Sequence, residues 1–141
     1  MRPGLSEEDF ASFETQYEVR FPEALKELLR YSNGGHPERD SYPAEDPELD
    51  ESFAVNRFHY LLPGDEGVCS IAYAIKEWRP ILGDKALPFA SDGGGNEFFL
   101  DLEDSPPTVK ICLHDEDMAV VDLAPSFEAF IDALYLDPDM E

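Results

Sequence analysis

The side chains best suited to metal binding or nucleophilic chemistry in this sequence are three histidines and two cysteines. Zinc sites take such ligands at short, regular separations, as in Cys-x-x-Cys or His-x-x-x-His. Neither spacing occurs in the sequence, and the one close pair is Cys112 with His114. No Gly-x-Ser-x-Gly nucleophile elbow occurs either. We therefore predict a buried thiol and a turn histidine at this pair, and no catalytic or metal-binding residues.

The glycine-rich segment Asp92-Gly93-Gly94-Gly95-Asn96 is the next candidate for chemistry. A phosphate-binding loop would continue into Gly-Lys-Ser/Thr, which this segment lacks, and the carboxylates of Asp92, Glu97 and Asp101 would repel a phosphate. Read as a calcium loop from Asp92, the segment has Gly94 where a ligand belongs and Glu97 where the sharp turn needs glycine. These departures argue against both ligands.

Apolar, aromatic-bearing runs at 87–90 and 98–102 flank this glycine-rich segment on its two sides. Asp and Asn tolerate the left-handed backbone, and Gly adopts it without steric cost, so the chain can reverse within a few residues. The pattern predicts a β-hairpin with a turn at 92–96. We expect the other elements to pack around it.

The overall composition limits the classes of partner. At 141 residues the chain is long enough for one domain with its own core, and 43% hydrophobic residues make it too apolar to be disordered. Its 32 acidic and 10 basic residues give a net charge of −22, which disfavours nucleic acid and anionic membranes as partners. The charge attracts basic partners instead. A general adaptation to high salt is the alternative, and chance carboxylate pairs carry no weight for catalysis.

The sequence predicts a cytoplasmic protein. The first residues contain no apolar signal-peptide core, and no window is apolar for the length that a bilayer requires. Two cysteines do not make the disulfide framework of a small secreted protein.

Two helices are predicted at the N-terminal end. Ser6 and Asp9 have the spacing of a capping box, so the first helix begins there. Pro22 suits the first position of a second helix, and Asn33-Gly34-Gly35 suits its end because glycine adopts the left-handed cap. We expect the two helices to pack as a hairpin.

Residues 37–53 differ from the rest, with three prolines and seven acidic residues against one arginine. Few apolar side chains are present to be buried, so the segment is predicted to be a surface loop. Either a solvated insertion or an acidic docking surface accounts for this composition.

The remaining elements follow in chain order. They are a strand at 53–62, a helix at 68–78 that Pro80 ends, strands at 109–113 and 118–123, and a helix that starts at Pro125-Ser126. This order lacks regular βαβ repeats and predicts an α+β fold with helices packed against an antiparallel β-sheet.

Three blocks together resemble the SUKH superfamily, the Smi/Knr-like domain. They are the helix from Phe21-Pro22 to Asn33-Gly34-Gly35, the hairpin at 87–102 and the closing run Ser126-Phe127-Glu128-Ala129-Phe130-Ile131. The family prefers leucine where this chain has Phe21. The resemblance implies an α+β fold for one domain over 1–141, with a core at about 19–134.

The same resemblance implies a binding function. Bacterial members often act as immunity proteins that neutralise toxins, many of them nucleases, and eukaryotic members are regulatory interaction modules. The family brings no catalytic residues and no cofactor. We therefore predict an immunity protein that binds a basic toxin domain. The alternatives are a regulatory scaffold of the same fold and, more remotely, a metal-dependent enzyme that uses clustered carboxylates.

Acidic side chains of the loop and of the turn after 113 are the predicted partner-binding residues. They are Glu38, Asp40, Glu45 and Asp46 in the loop, and Asp115, Glu116 and Asp117 in the turn. A merely solvated face is the alternative interpretation of each.

Overall fold

The computed structural model describes residues 5–31, 33–37, 41–42, 53–62, 64–92, 94–114 and 116–134. The described elements are α1 (Glu7–Tyr17), α2 (Glu23–Tyr31), β1 (Ser41–Tyr42), β2 (Phe53–Ala54), β3 (Arg57–Phe58), α3 (Ile71–Leu82), β4 (Ala86–Ser91), β5 (Glu97–Asp101), β6 (Thr108–Leu113), β7 (Ala119–Ala124) and α4 (Phe127–Ala133). Strands β3 to β7 form a five-stranded sheet in chain order, and β1 pairs with β2 separately. All the pairings between these strands are antiparallel, which confirms the predicted α+β fold.

The predicted hairpin lies in the middle of this sheet. Strands β4 and β5 pair from Ala86 with Asp101 to Ser91 with Glu97, and the turn at 92–96 joins them. The register shifts between Pro88 and Ala90. A sheet accommodates proline at such an irregularity because the ladder hydrogen bonds are already interrupted there.

One face of the sheet, the front face, packs against α1, α2 and α4. Its central side chains belong to a single hydrophobic cluster with these three helices and with Ile71, Ala72 and Ile75 of α3. The Phe89 ring meets Phe127 and Phe130 edge-to-face, with centroids 5.1 and 5.6 Å apart. Each fully buried phenylalanine contributes about 1.5–3 kcal/mol through its burial, so this face supplies most of the core.

The opposite face, the back face, carries a smaller cluster. Side chains alternate between faces along a strand, so Phe99 and Cys112 point away from the front core. They pack with Ala86 against the partly buried Trp78 and Leu82 of α3. Cys112 is the predicted buried thiol, and burial raises its pKa above the ordinary value.

The helix starts follow the sequence closely. Ser6 and Asp9 exchange both hydrogen bonds of a capping box at α1, and the Ser126 side chain caps α4. Pro22 lies just before the second helix and not at its first position as predicted. Helix α2 begins at Glu23, and the Pro22 carbonyl accepts the first hydrogen bonds of the helix.

Helix α3 begins and ends later than the predicted range of 68–78. The Ser70 side chain accepts a hydrogen bond from the first turn and fixes the start. Pro80 does not end the helix as predicted, but lies within its last turn. A proline there removes only one helical hydrogen bond, and the helix continues until Gly83 donates its N–H to the Arg79 carbonyl.

The predicted strand at 53–62 is wrong as a single element. It divides into β2 and β3, which belong to different sheets, with the fully buried Val55 between them. The Asn56 N–H bonds to the Ser91 carbonyl, and Tyr60 bridges to Ser70. The imperfect alternation of the segment therefore reflects a chain that changes partners every few residues.

Candidate functional site

The glycine-rich turn is closed by its own side chains. Asp92 Oδ1 accepts the N–H groups of Gly94 and Asn96 at 2.8 and 3.0 Å. The Asn96 side-chain amide donates to Asp92 Oδ2 at 2.6 Å. These bonds involve both Asp92 oxygens and stabilise the reversal of the backbone. Gly93 lies outside the described residues.

This turn is tied to the next one by His114. The backbone N–H of His114 donates to Asn96 Oδ1 at 2.9 Å, and His114 Nε2 pairs with the Gly94 carbonyl. Gly95 has φ +101°, and a Cβ there would lie 2.8 Å from His114 Nε2. Only glycine therefore fits at this position. The predicted turn histidine thus fastens the tips of the two hairpins together.

The motif at the end of α2 also acts on the backbone. The Asn33 side chain donates to the Leu61 carbonyl and accepts the Leu61 N–H, each at 2.8 Å. Gly34 has φ +89°, and a Cβ there would lie 2.8 Å from Tyr60 Cβ. Gly35 bridges to β3 through paired backbone hydrogen bonds. These contacts seat α2 against the edge of the sheet.

Two of the predicted partner-binding residues can be placed. Glu116 and Asp117 are exposed in the turn between β6 and β7, which His114 holds against the glycine-rich turn. The predicted residues outside the described ranges are Glu38, Asp40, Glu45, Asp46 and Asp115.

A cavity of about 420 Å³ opens on the back face beside the same glycine-rich turn. Its size falls within the range of about 300–1,000 Å³ that ligand pockets occupy. The lining side chains on which its chemistry depends are Arg57, His59, Tyr73, Glu77, Trp78 and Glu97. They come from β3, the segment after it, α3 and β5, so the cavity forms only when these elements are assembled.

A buried ionisable pair forms part of the cavity wall. His59 Nε2 and Glu97 Oε2 lie 2.6 Å apart, and the two side chains are 8% and 4% exposed. Burial raises the pKa of Glu97 to about 7; the hydrogen bond and charge of His59 oppose this shift, while Asp92 and Glu77 add to it. The Glu97 carboxyl therefore titrates near neutral pH.

The pair has unused hydrogen-bonding capacity. Among the described residues, His59 is the one hydrogen-bond partner of the Glu97 carboxyl group, and it uses Oε2 alone. His59 Nδ1 is inaccessible to solvent and has no hydrogen-bond partner within the described residues. An acceptor at Oε1 of Glu97 thus remains available within the cavity wall.

Helix α3 supplies two aromatic side chains to the cavity. Trp78 is partly buried, and Tyr73 is 37% exposed. A hydrogen bond to Glu77 raises the pKa of the Tyr73 hydroxyl above its ordinary value. The cavity therefore combines flat apolar surfaces with carboxylates, an arrangement suited to a cation that also has apolar faces.

The sequence matches the model of a known protein family. The model of the SMI1 / KNR4 family (SUKH-1) matches residues 4–133, which is most of the chain. The chain belongs to this family. The match confirms the resemblance seen in the three sequence blocks. Among curated proteins, none matches the chain.

The sequence did not reveal the cavity of this SUKH-1 chain. The sequence presents His59 only as a candidate zinc ligand, and Glu97 only as a residue that disfavours a phosphate or calcium loop. Their meeting depends on the register that aligns Arg57 with Ser91 and Ser91 with Glu97 across three strands. The one local signal was Glu97 itself, a charged residue that alternation places opposite the core-facing Phe98.

The described part of this SUKH-1 chain contains neither a metal-binding cluster nor a helix that could span a membrane. In the ranges that the structure describes, no three or more His, Cys, Asp or Glu side chains are grouped to hold a metal ion. None of the helices there combines the length and the apolar character needed to cross a bilayer.

Proposed function

We propose that this protein is a non-enzymatic, cytoplasmic immunity protein that binds and neutralises a toxin with a basic surface. The observation that carries the proposal is membership of a family known to include immunity proteins, over residues 4–133. The net charge of −22 supports a basic target, such as the cleft of a nuclease.

Ion pairs within the protein strengthen this argument. Several cations of the described residues already bind carboxylates: Lys26 and Arg30 pair with Glu7, Lys76 with Glu66, and Lys110 with Asp101. Cations are therefore partly neutralised, and the excess carboxylates determine the field that an approaching protein meets. Such a field increases the association rate with a basic partner and decreases it with an acidic one.

The acidic turn and loop are the proposed contact surface. Glu116 and Asp117 project from a hairpin tip that His114 anchors, so a partner meets them on a supported backbone. We propose the same role for Asp115 and for Glu38, Asp40, Glu45 and Asp46. Carboxylates carry the same sign of charge as the phosphates that a nuclease cleft binds.

Co-expression tests the proposal. The chain is produced together with the toxin domain encoded beside it, and we expect restored growth and a stoichiometric complex on size-exclusion chromatography. The association rate should fall steeply with added salt, because the Debye length shortens from about 10 Å at 0.1 M to about 3 Å at 1 M.

A charge-matched comparison locates the contact. Glu116→Gln with Asp117→Asn should slow association several-fold and change dissociation little, as expected for charges that steer the encounter. The control is Glu8→Gln with Glu18→Gln, which removes the same charge from exposed positions of α1 and its cap. Failure to bind or neutralise any such toxin refutes the proposal, and binding of a partner that is not a toxin favours the regulatory scaffold.

A further inference from the structure

The buried Glu97 carboxyl has no explanation in the fold. Its neighbours on the back face include Phe99 and Cys112, which pack without charge. Burying a carboxyl with one hydrogen-bond partner is costly, and an apolar side chain would fill the position without that cost. The position is also 3% exposed, so the carboxyl does not improve solubility.

We propose that the cavity is a receptor for a single arginine side chain of the partner. The inference rests on the proposed function in taking the partner's surface to be basic, but it assigns a different site from the acidic turn. A guanidinium donates several N–H groups in one plane, pairs with carboxylates and stacks on aromatic rings. The cavity offers Glu97 and Glu77 for the first contact, and Trp78 and Tyr73 for the second.

The local charges favour a cation inside the cavity. The charge of His59 lowers the pKa of Glu97, but the carboxylates of Asp92 and Glu77 raise it, so two further negative charges act on this site. Arg57 also lines the cavity, but it is exposed and is not among the groups that shift the pKa of Glu97. The Arg57 guanidinium therefore does not neutralise the carboxyl that the ligand would meet.

Binding should depend on pH, because only the ionised Glu97 attracts a guanidinium. With a pKa of about 7, the competent fraction falls about tenfold between pH 8 and pH 6, and the apparent affinity falls with it. The other titratable or charged groups around this carboxyl or in the cavity wall are His59, Asp92, Glu77, Arg57, Cys69, Tyr73 and Cys112. Repeating the titration in a Glu97→Gln variant separates their contribution from that of Glu97.

The protein contains its own reporter for the test. Trp78 lines the cavity and is the only tryptophan of the sequence. N-acetyl-argininamide is titrated while Trp78 fluorescence is recorded, and the uncharged isostere N-acetyl-citrullinamide is the comparison probe. For a probe of this size we expect a dissociation constant in the millimolar range at pH 8. Citrullinamide should bind at least about tenfold more weakly, since it lacks the charge.

Matched variants decide whether the cavity is responsible. Glu97→Gln should weaken arginine binding at least about tenfold and remove its pH dependence, whereas Glu8→Gln, which removes an exposed charge outside the cavity lining, should leave binding unchanged. If Glu97→Gln does not fold, Glu77→Gln is the second variant, because Glu77 is exposed and its replacement leaves the core intact. It should weaken binding several-fold.

Equal responses to the two probes, or arginine binding unaffected by Glu97→Gln and Glu77→Gln, would overturn the inference. The titration needs no toxin, so the two proposals fail separately. A chain that neutralises its toxin but ignores the arginine probe loses only the cavity assignment. A chain that binds the probe but no toxin keeps the cavity and loses the immunity role.

Discussion

The two faces of the sheet differ although the same strands build them. On the front face, Phe98 and Leu100 are fully buried among aromatic and aliphatic side chains. On the back face, Phe99 packs in a small cluster, and the polar side chains of Glu97 and Lys110 lie on the same face of the sheet. Side chains of β5 that point to the front face therefore stabilise the core. Those that point to the back face include Glu97, which lines the cavity proposed to bind a partner.

Truncation of adjacent phenylalanines measures this difference most directly. Phe98→Ala should lower the free energy of unfolding by about 3–5 kcal/mol, because it leaves a cavity in the main core. Phe99→Ala should cost about 2 kcal/mol, since its smaller cluster borders partly exposed side chains and can relax. Urea denaturation followed by circular dichroism gives both values. Equal losses would show that the two faces contribute alike.

The pH dependence of stability tests the back face alone. The Glu97 pKa is raised from 4.5 to about 7, so the folded protein binds this proton more tightly than the unfolded chain does. The stabilisation of the folded state by this tighter proton binding is present in full below pH 4.5 and is lost as the pH rises through about 7. Glu97→Gln should therefore match the wild type near pH 4 and become more stable than it by roughly 3 kcal/mol at pH 8.

Denaturation of both proteins across this pH range, with Glu116→Gln as the control, supplies the measurement. Because the other carboxylates titrate in every variant, the comparison uses the difference between variant and wild type at each pH. A difference that stays constant from pH 4 to pH 8 would mean that Glu97 does not titrate as described.

The smallest expected effect concerns the ion pairs of the back face. Lys110 Nζ lies 2.6 Å from Asp101 Oδ2, and both side chains are 21% exposed. Burial alone would raise the pKa of Asp101, but the hydrogen bonds from Lys110 and from the Glu103 N–H outweigh it and lower the pKa. Lys110→Gln should cost about 1 kcal/mol at pH 7.

The sign of its pH dependence is opposite to that of Glu97. A lowered pKa stabilises the folded state above the ordinary value of 3.8, and this contribution is lost as the pH falls below it. The loss caused by Lys110→Gln should accordingly diminish in acid. Lys85→Gln, at an exposed turn position, is the control. Thermal unfolding at pH 7 and pH 3 distinguishes the two variants. If both variants lose the same stability, the ion pair does not stabilise the fold.

The sequence predicted those features that depend on neighbours within a few residues. The capping box of Ser6 and Asp9, the cap at Ser126 and the turn at 92–96 each follow from local hydrogen bonding and backbone preference. These short-range features, together with the order of the elements, predicted the α+β class, whereas the family was indicated by the resemblance of three sequence blocks.

The errors and omissions involve partners distant in the chain. Proline disfavours helix, so the sequence predicts that the helix ends at Pro80. In the structure α3 packs on β4 and continues for two more residues to Leu82. The cavity was missed because His59 and Glu97 are 38 residues apart and meet only through strand register. Periodicity within a segment shows which face each side chain occupies, but it does not identify the residue that lies opposite on another strand.

The chain order of the sheet also affects how the protein assembles. From β4 to β7 each strand pairs with the next across a short connection, so these hairpins can form after closing only small loops. The front core instead joins distant segments: the Tyr42 hydroxyl donates to the Leu123 carbonyl, 81 residues away. We therefore expect the meander to form early and at low entropic cost, and the long-range contacts that complete the core to form later.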